Sequence, residues 1–351
     1  MEQHLDAIDG LRGIAIALVV AYHSWLVYGY AAGALSQAGF LGVELFFALS
    51  GFCMFFPFAR ARLLGKPAPS WSLYAYRRAI KIVPSYVIAL TAFAALYAQR
   101  DGLEHTAFAY ATHLLFLHPF FAGDFQAISG PLWTIGVEVQ FYLIFPLVCE
   151  LFLRRPLVGT LLLASIACGY RTVLLATHAD PGFFLTNQVV AFLDLFAAGM
   201  LAAYTVVWVR CRVDSAAVQR IASVVAAVAI AVAVVGIVAF THSRAMDDKT
   251  AFYVWQIHWR LAIAGLLFVL VTATTLALPE LRRLVANPAL TFLALISYNL
   301  YLWHLEILAW AARDRVSFAV ALLAAFSVAA AVTYLVERPL MAAKALRPAA
   351  T

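Results

Sequence analysis

Charge is scarce in this sequence. Only 12% of its 351 residues are Asp, Glu, Lys or Arg, about half of the ~25% usual in soluble domains. That argues against a water-soluble enzyme. Cysteine is also sparse. Cys53, Cys149, Cys168 and Cys211 lie in or at the ends of apolar runs, without metal-ligand spacing and with no extramembrane pair. A zinc module and a disulfide scaffold are therefore both disfavoured, and no metal is expected. Gly-rich phosphate loops, internal repeats and low-complexity tracts are missing too. The opening MEQHLDAIDGLRG lacks the basic n-region and small-residue cleavage site of a signal peptide, so the first span is expected to be retained.

Long apolar runs are what the chain has instead. Hydrophobic residues make up 65% of it, and the runs approach the ~20 residues that a helix needs to cross a bilayer. The expected fold is all-α, a polytopic bundle of about ten transmembrane helices. The spans are read at 12–30, 39–58, 82–98, 132–152, 156–177, 185–208, 221–240, 257–278, 289–311 and 316–336. Segment 106–121 is short and His-rich and reads as an interfacial or re-entrant piece. One membrane domain is expected over 1–340, followed by a short basic tail at 341–351.

The net charge of +6 is explained by topology rather than by nucleic-acid binding. With both termini in the cytoplasm, 17 of the 24 Lys and Arg fall on cytoplasmic segments, as the positive-inside rule requires. An eleventh span at 106–121 would invert everything after it. The longest basic segment, 59–81, holds Arg60, Arg62, Lys66, Arg77, Arg78 and Lys81. Such a segment also attracts anionic lipid headgroups.

Ionisable residues inside spans are costly and are functional candidates by default. At 1.5 Å per residue, His23 and Asp194 lie ~16 Å from the cytoplasmic edge, and Glu44, Glu138, His304 and Arg171 at ~21 to 23 Å. Side chains placed for solubility would gather at span ends; these cluster at mid-depth. The competing bland reading is structural. A lone histidine can bond a neighbouring helix, and Arg171 with Asp194 reads best as an ion pair between spans five and six. Arg12 and His23 share the first span, ~16 Å apart along the helix. That separation suits a long ligand with an anionic head and a reactive tip.

Five local patterns occur in order. They are LDAIDGLRGIAIALVVAYH with Arg12 and His23; GFLGVELFFALSGF with Glu44; YRRAIKIVPSY with Arg77, Arg78 and Lys81; GPLWTIGVEVQFYLIFPL with Trp133, Glu138, Gln140 and Tyr142; and ISYNLYLWH with Tyr301 and His304, followed by VERPL. Together they resemble the acyltransferase family 3 membrane proteins, which O-acylate bacterial glycans, lipids and some antibiotics. The sequence departs from the family pattern in places. Lys81 stands where a second Arg of Arg-x-x-Arg is usual, and Glu44 where Asp is more frequent.

The resemblance implies a multi-pass protein of the bacterial inner membrane. It implies an acyl-CoA donor, acetyl-CoA by first choice, and a carbohydrate or glycolipid acceptor, with no nucleic-acid partner and no metal. Transfer to a hydroxyl needs a base and a group that stabilises the oxyanion. His23 is the expected base, oriented by a carboxylate, with Glu138 the first candidate and Glu44 the second. Arg12, Arg77, Arg78 and Lys81 are the expected ligands of the CoA phosphates. Trp133, Gln140, Tyr142, Tyr301 and His304 are candidates to line the substrate path. The main alternative is a proton-coupled secondary transporter using the same intramembrane acids and histidines; a third is a non-catalytic glycolipid-binding scaffold. Oligomeric state and acceptor are left open by the sequence.

Overall fold

A computed structural model of the chain describes residues 5–29, 33–101, 103–213 and 215–345. The end of the expected basic tail, 346–351, lies outside the described residues. The described structure is helical, with no strand among the described residues. The main helices are α1 (Leu5–Tyr28), α2 (Leu41–Leu63), α3 (Trp71–Asp101), α4 (Leu103–Leu114), α5 (Leu132–Arg154), α6 (Pro156–Thr177), α7 (Leu193–Arg212), α8 (Ala216–Thr241), α9 (Lys249–Leu276), α10 (Pro288–Arg313), α11 (Phe318–Val332) and α12 (Arg338–Ala345). Short turns include Ala34–Gln37, His118–Phe120 and Pro279–Val285.

Among the described residues, ten helical segments are long and apolar enough to cross a membrane. They match the ten expected spans one for one. Helix α4, with 12 residues, covers only ~18 Å at 1.5 Å per residue, too short for a ~30 Å core. Segment 106–121 thus contains no spanning helix.

The chain divides into two compact units. Unit one comprises Met1–Tyr22, Ala31–Pro69 and Phe141–Ala294; unit two comprises His23–Tyr30, Ser70–Gln140 and Leu295–Thr351.

In unit one, α2 and α7 meet backbone to backbone. A Cβ added at Gly51 would overlap the Phe196 carbonyl, and one at Gly199 would overlap the Ala48 carbonyl. Close packing through small residues is the usual route to helix association in lipid, where apolar burial gives little drive. Around this seam Phe141 stacks on Phe196 at 3.9 Å, and Phe47 lies 4.7 Å from Phe192 and 5.1 Å from Phe196. The polarity of the unit is arranged for lipid. On α8, Ile221, Val228 and Val235 are each more than half exposed, while Glu44, Arg171, Asp194 and Arg260 are buried. The ion pair expected between spans five and six is present: an Arg171 Nη2 donates to Asp194 Oδ2 at 2.6 Å, and Nη1 donates to the Ala191 carbonyl at 3.1 Å.

In unit two, α3 runs against α4. The Tyr86 hydroxyl donates to the His113 carbonyl at 3.0 Å. After α4 the chain turns through Phe116 (φ 55°) into the His118–Phe120 turn. The rings of His113 and His118 stack in parallel, 4.0 Å between centroids. His113 Nδ1 donates to the Ala109 carbonyl at 2.7 Å, and His118 Nε2 donates to the Leu132 carbonyl at 3.2 Å. Burial pushes His113 down from 6.5 to about 4. Burial and the neighbouring imidazole push His118 down from 6.5 to about 3. Both rings are neutral in the folded protein near pH 7.

The unfolded chain binds protons at these histidines from about pH 6.5 downward, whereas the folded chain does not until about pH 4. Stability is therefore fully present above pH 6.5 and falls on acidification through that window. The thermal midpoint of the detergent-purified protein is expected to drop between pH 6.5 and 4. A His113→Asn, His118→Gln double variant is expected to flatten the decline; an identical pH slope in that variant would contradict this account.

Candidate active site

His23 stands on the last turns of α1, in the part of that helix belonging to unit two. It is half-buried. On α10, Tyr301 and His304 are three residues apart and so share a helix face. Both are buried, His304 completely. The two histidines meet: His23 Nδ1 lies 3.0 Å from His304 Nε2, with ring centroids 4.9 Å apart. The other ring nitrogen of His304, Nδ1, is 2.8 Å from the Leu300 carbonyl and 2.9 Å from the Tyr301 carbonyl. Tyr301 shares a 2.9 Å hydrogen bond with Thr134, near the start of α5. Glu138, one turn further along α5, is half-buried.

The sequence candidates thus fall into separate groups. His23, Tyr301 and His304 form one polar cluster of unit two, and Glu138 is in the same unit. Trp133 is in the same unit, buried and stacked on Phe125 at 5.6 Å. Gln140 has a buried side-chain oxygen without a hydrogen-bond partner. Arg12, Glu44 and Tyr142 belong to unit one. There Glu44 Oε1 accepts from Arg260 Nε at 3.2 Å, and both side chains are almost fully buried. At Nδ1 of His23 the structure places a second imidazole.

The basic residues of α3 differ among themselves. Arg77 is exposed. Arg78 is half-buried with its guanidinium 5.9 Å from the centre of the Tyr74 ring. Lys81 is ion-paired to Glu337, and Asn299 Nδ2 donates both to the second Glu337 oxygen at 3.0 Å and to Thr333 at 2.9 Å. Glu337 closes a π-helical segment, Thr333–Glu337; such segments recur at functional positions in helices.

Sequence reasoning passed over Glu337, Asn299, Glu306 and Arg260 as site residues. Glu337 and Asn299 stood inside quoted motifs. Glu306, two residues past His304, accepts from the Tyr97 hydroxyl at 3.0 Å and is 5% exposed; its signal was an acid in the middle of a span. Among the described residues no three His, Cys, Asp or Glu side chains cluster as a metal-ligand set.

Among the described residues, ten helices long and apolar enough to cross a membrane, with ionisable side chains buried among them, mark a multi-pass integral membrane protein. The chain belongs to the acyltransferase 3 family, whose acyltransferase-domain model matches residues 5–338. It is similar to the peptidoglycan O-acetyltransferase OatA of Listeria monocytogenes, with 26% identity over 337 residues, covering 87% of this chain and 50% of the relative. The putative membrane-bound transacylase BcsY of Komagataeibacter xylinus is 31% identical over 320 residues, covering 85% of this chain and 71% of that protein. A putative O-acetyltransferase of Staphylococcus aureus, SACOL0978, is 23% identical over 342 residues, covering 88% and 51%. The chain therefore spans about half the length of the first two kinds of O-acetyltransferase it matches. No solved structure matches it.

Proposed function

We propose that this protein is an O-acyltransferase of the bacterial inner membrane. It moves an acyl group, acetyl by first choice, from acyl-CoA to a hydroxyl of a cell-envelope carbohydrate. The observation that carries the reading is the His23–His304 contact inside spanning helices of an acyltransferase 3 chain. A histidine at membrane depth is an expensive placement, and its second ring nitrogen is the natural proton acceptor for a hydroxyl near neutral pH. The names of the relatives, a peptidoglycan O-acetyltransferase among them, favour a glycan acceptor and acetyl.

In this reading the acceptor hydroxyl gives its proton to His23. Its oxygen attacks the thioester carbonyl, the carbon–sulfur bond breaks, and the departing thiolate takes the proton back from His23. Tyr301 and Trp133 are the hydroxyl and indole placed to donate to the oxyanion or to line the acyl path. The donor phosphates are assigned to the basic stretch of α3 on the side expected to be cytoplasmic. Arg77 and Arg78 contribute directly, and Lys81 contributes by exchanging Glu337 for phosphate. Arg12→Ala is expected to weaken acetyl-CoA binding in the same calorimetric assay, as its place in the first motif suggests. Glu138 remains a carboxylate candidate of the site, and Glu44 holds Arg260.

The test is transfer of radiolabel from [14C]acetyl-CoA into alkali-labile esters of envelope carbohydrate, using membranes that contain the protein. Transfer above that of protein-free membranes is expected, together with saturable acetyl-CoA binding by calorimetry that weakens at least about tenfold in an Arg77→Ala, Arg78→Ala variant; a single charge-assisted contact to phosphate is worth about 1.5–3 kcal/mol. Absence of both transfer and binding in folded protein would refute the reading.

A further inference from the structure

We infer that His304 is a positioning residue which sets the proton tautomer of His23, so that Nε2 of His23 is the basic nitrogen. The inference rests on the base role proposed above for His23. It follows from which atoms can donate. His304 Nδ1 faces two backbone carbonyl oxygens, of Leu300 and Tyr301. A carbonyl oxygen only accepts, so Nδ1 of His304 must carry a hydrogen. A neutral imidazole carries one ring hydrogen, which leaves Nε2 of His304 as an acceptor. That acceptor is the atom 3.0 Å from His23 Nδ1. His23 Nδ1 must therefore carry a hydrogen, and in the neutral ring, the form in which a base acts, the lone pair of His23 is on Nε2.

The arrangement has the logic of a catalytic triad, in which a buried acceptor fixes the tautomer and orientation of the base. Two differences matter. The acceptor is a neutral ring rather than a carboxylate, and the origin of the order is the α10 backbone, two carbonyls presented to a fully buried side chain. The chain is directional: backbone carbonyl, His304, His23, substrate. In the reaction the hydroxyl proton goes to His23 Nε2, the alkoxide oxygen bonds the thioester carbon, the carbon–sulfur bond breaks, and the proton on Nε2 passes to the thiolate. His304 keeps its own proton throughout and stabilises the transient imidazolium as its hydrogen-bond acceptor.

The test reads the tautomer directly, apart from turnover. Detergent-purified protein carrying 15N-labelled histidine is examined by NMR near pH 8, with His23→Gln and His304→Gln spectra used for assignment. The expected spectrum has a protonated Nδ1 and an unprotonated Nε2 on both rings. A protonated Nε2 on His23 in the wild-type protein would overturn the inference, whatever any variant does. Two substitutions then link tautomer to rate. His304→Leu removes the acceptor; His23 is expected to move toward the Nε2-protonated form, and kcat to fall by about 10²–10⁴, the range that a base in the wrong protonation geometry forfeits, with the KM for acetyl-CoA little changed. His304→Gln places an amide oxygen near the former Nε2 and is expected to recover most of kcat and the Nδ1-protonated form. Equal losses in the Leu and Gln variants with an unchanged His23 spectrum would mean that His304 only packs. If instead the tautomer is as expected but His23→Ala transfers acyl groups at the wild-type rate, the base reading fails while the tautomer assignment stands.

Discussion

Replacing His23 by alanine is expected to lower acyl transfer by about 10²–10⁴-fold, the contribution typical of a positioned general base, while leaving acetyl-CoA affinity within about twofold. The split follows from the site. His23 is half-buried on the last turns of α1 and bonded through Nδ1 to His304, whereas the basic residues assigned to the donor phosphates lie on α3. Loss of the ring removes the proton acceptor and leaves those cations in place. The measurement is kcat from label transfer and Kd from calorimetry on the same detergent-purified sample, with thermal melting to show that the variant is folded. Wild-type kcat in folded His23→Ala protein would remove His23 from the chemistry and leave the base role to another group. Loss of donor binding alone would move His23 from base to donor ligand.

The second large effect is on stability. Arg260 is the largest fully buried side chain of unit one, and it is held three ways: Nε to Glu44 at 3.2 Å, Nη1 to the Thr186 carbonyl at 3.0 Å, and its guanidinium 4.2 Å from the centre of the Phe192 ring. Removing one partner of such a pair strands the other charge, at a cost of about 3–5 kcal/mol. Arg260→Ala and Glu44→Ala are each expected to lower stability by that amount, read from denaturant or thermal unfolding in detergent. Glu44→Leu combined with Arg260→Met is expected to lose less than the sum of the single variants, because apolar replacement of both partners removes the desolvation penalty along with the attraction. Single-variant losses under about 1 kcal/mol would show that the pair contributes little. A Glu44→Gln variant that keeps its melting temperature but loses kcat would instead assign Glu44 to catalysis, the role for which it is the second candidate after Glu138.

The span count was legible because hydropathy is a property of runs, and each run here is long. Span edges were not, because a helix continues past its apolar run wherever the chain gives it a start. Helix α9 begins at Lys249, with Asp248 Oδ1 accepting from the Ala251 amide at 2.8 Å, eight residues before the apolar stretch read from 257. Helix α3 likewise begins at Trp71, carrying its basic residues on a helix rather than in a loop. Candidate residues were legible from their cost: His23, Glu44, Glu138 and His304 are expensive in lipid wherever they point. Their partners were not. His304 lies 281 residues from His23, and Arg260 lies 216 residues from Glu44, and no spacing along a chain encodes contacts at that range. One intramembrane pair, Arg171 with Asp194 at 23 residues, could be read in advance, because the two fall on consecutive spans.

The contact between α2 and α7 has a consequence for the charges of unit one. Where Gly51 and Gly199 meet carbonyl oxygens, no side chain stands between the two helices, so no rotamer change can absorb a shift. Glu44 lies two turns from Gly51 on α2, and Asp194 lies five residues from Gly199 on α7. The seam therefore acts as a ruler. It holds the acidic ends of two separate ion pairs at a fixed spacing, and a single added methyl at either glycine would be read out as two misaligned salt bridges rather than one crowded contact.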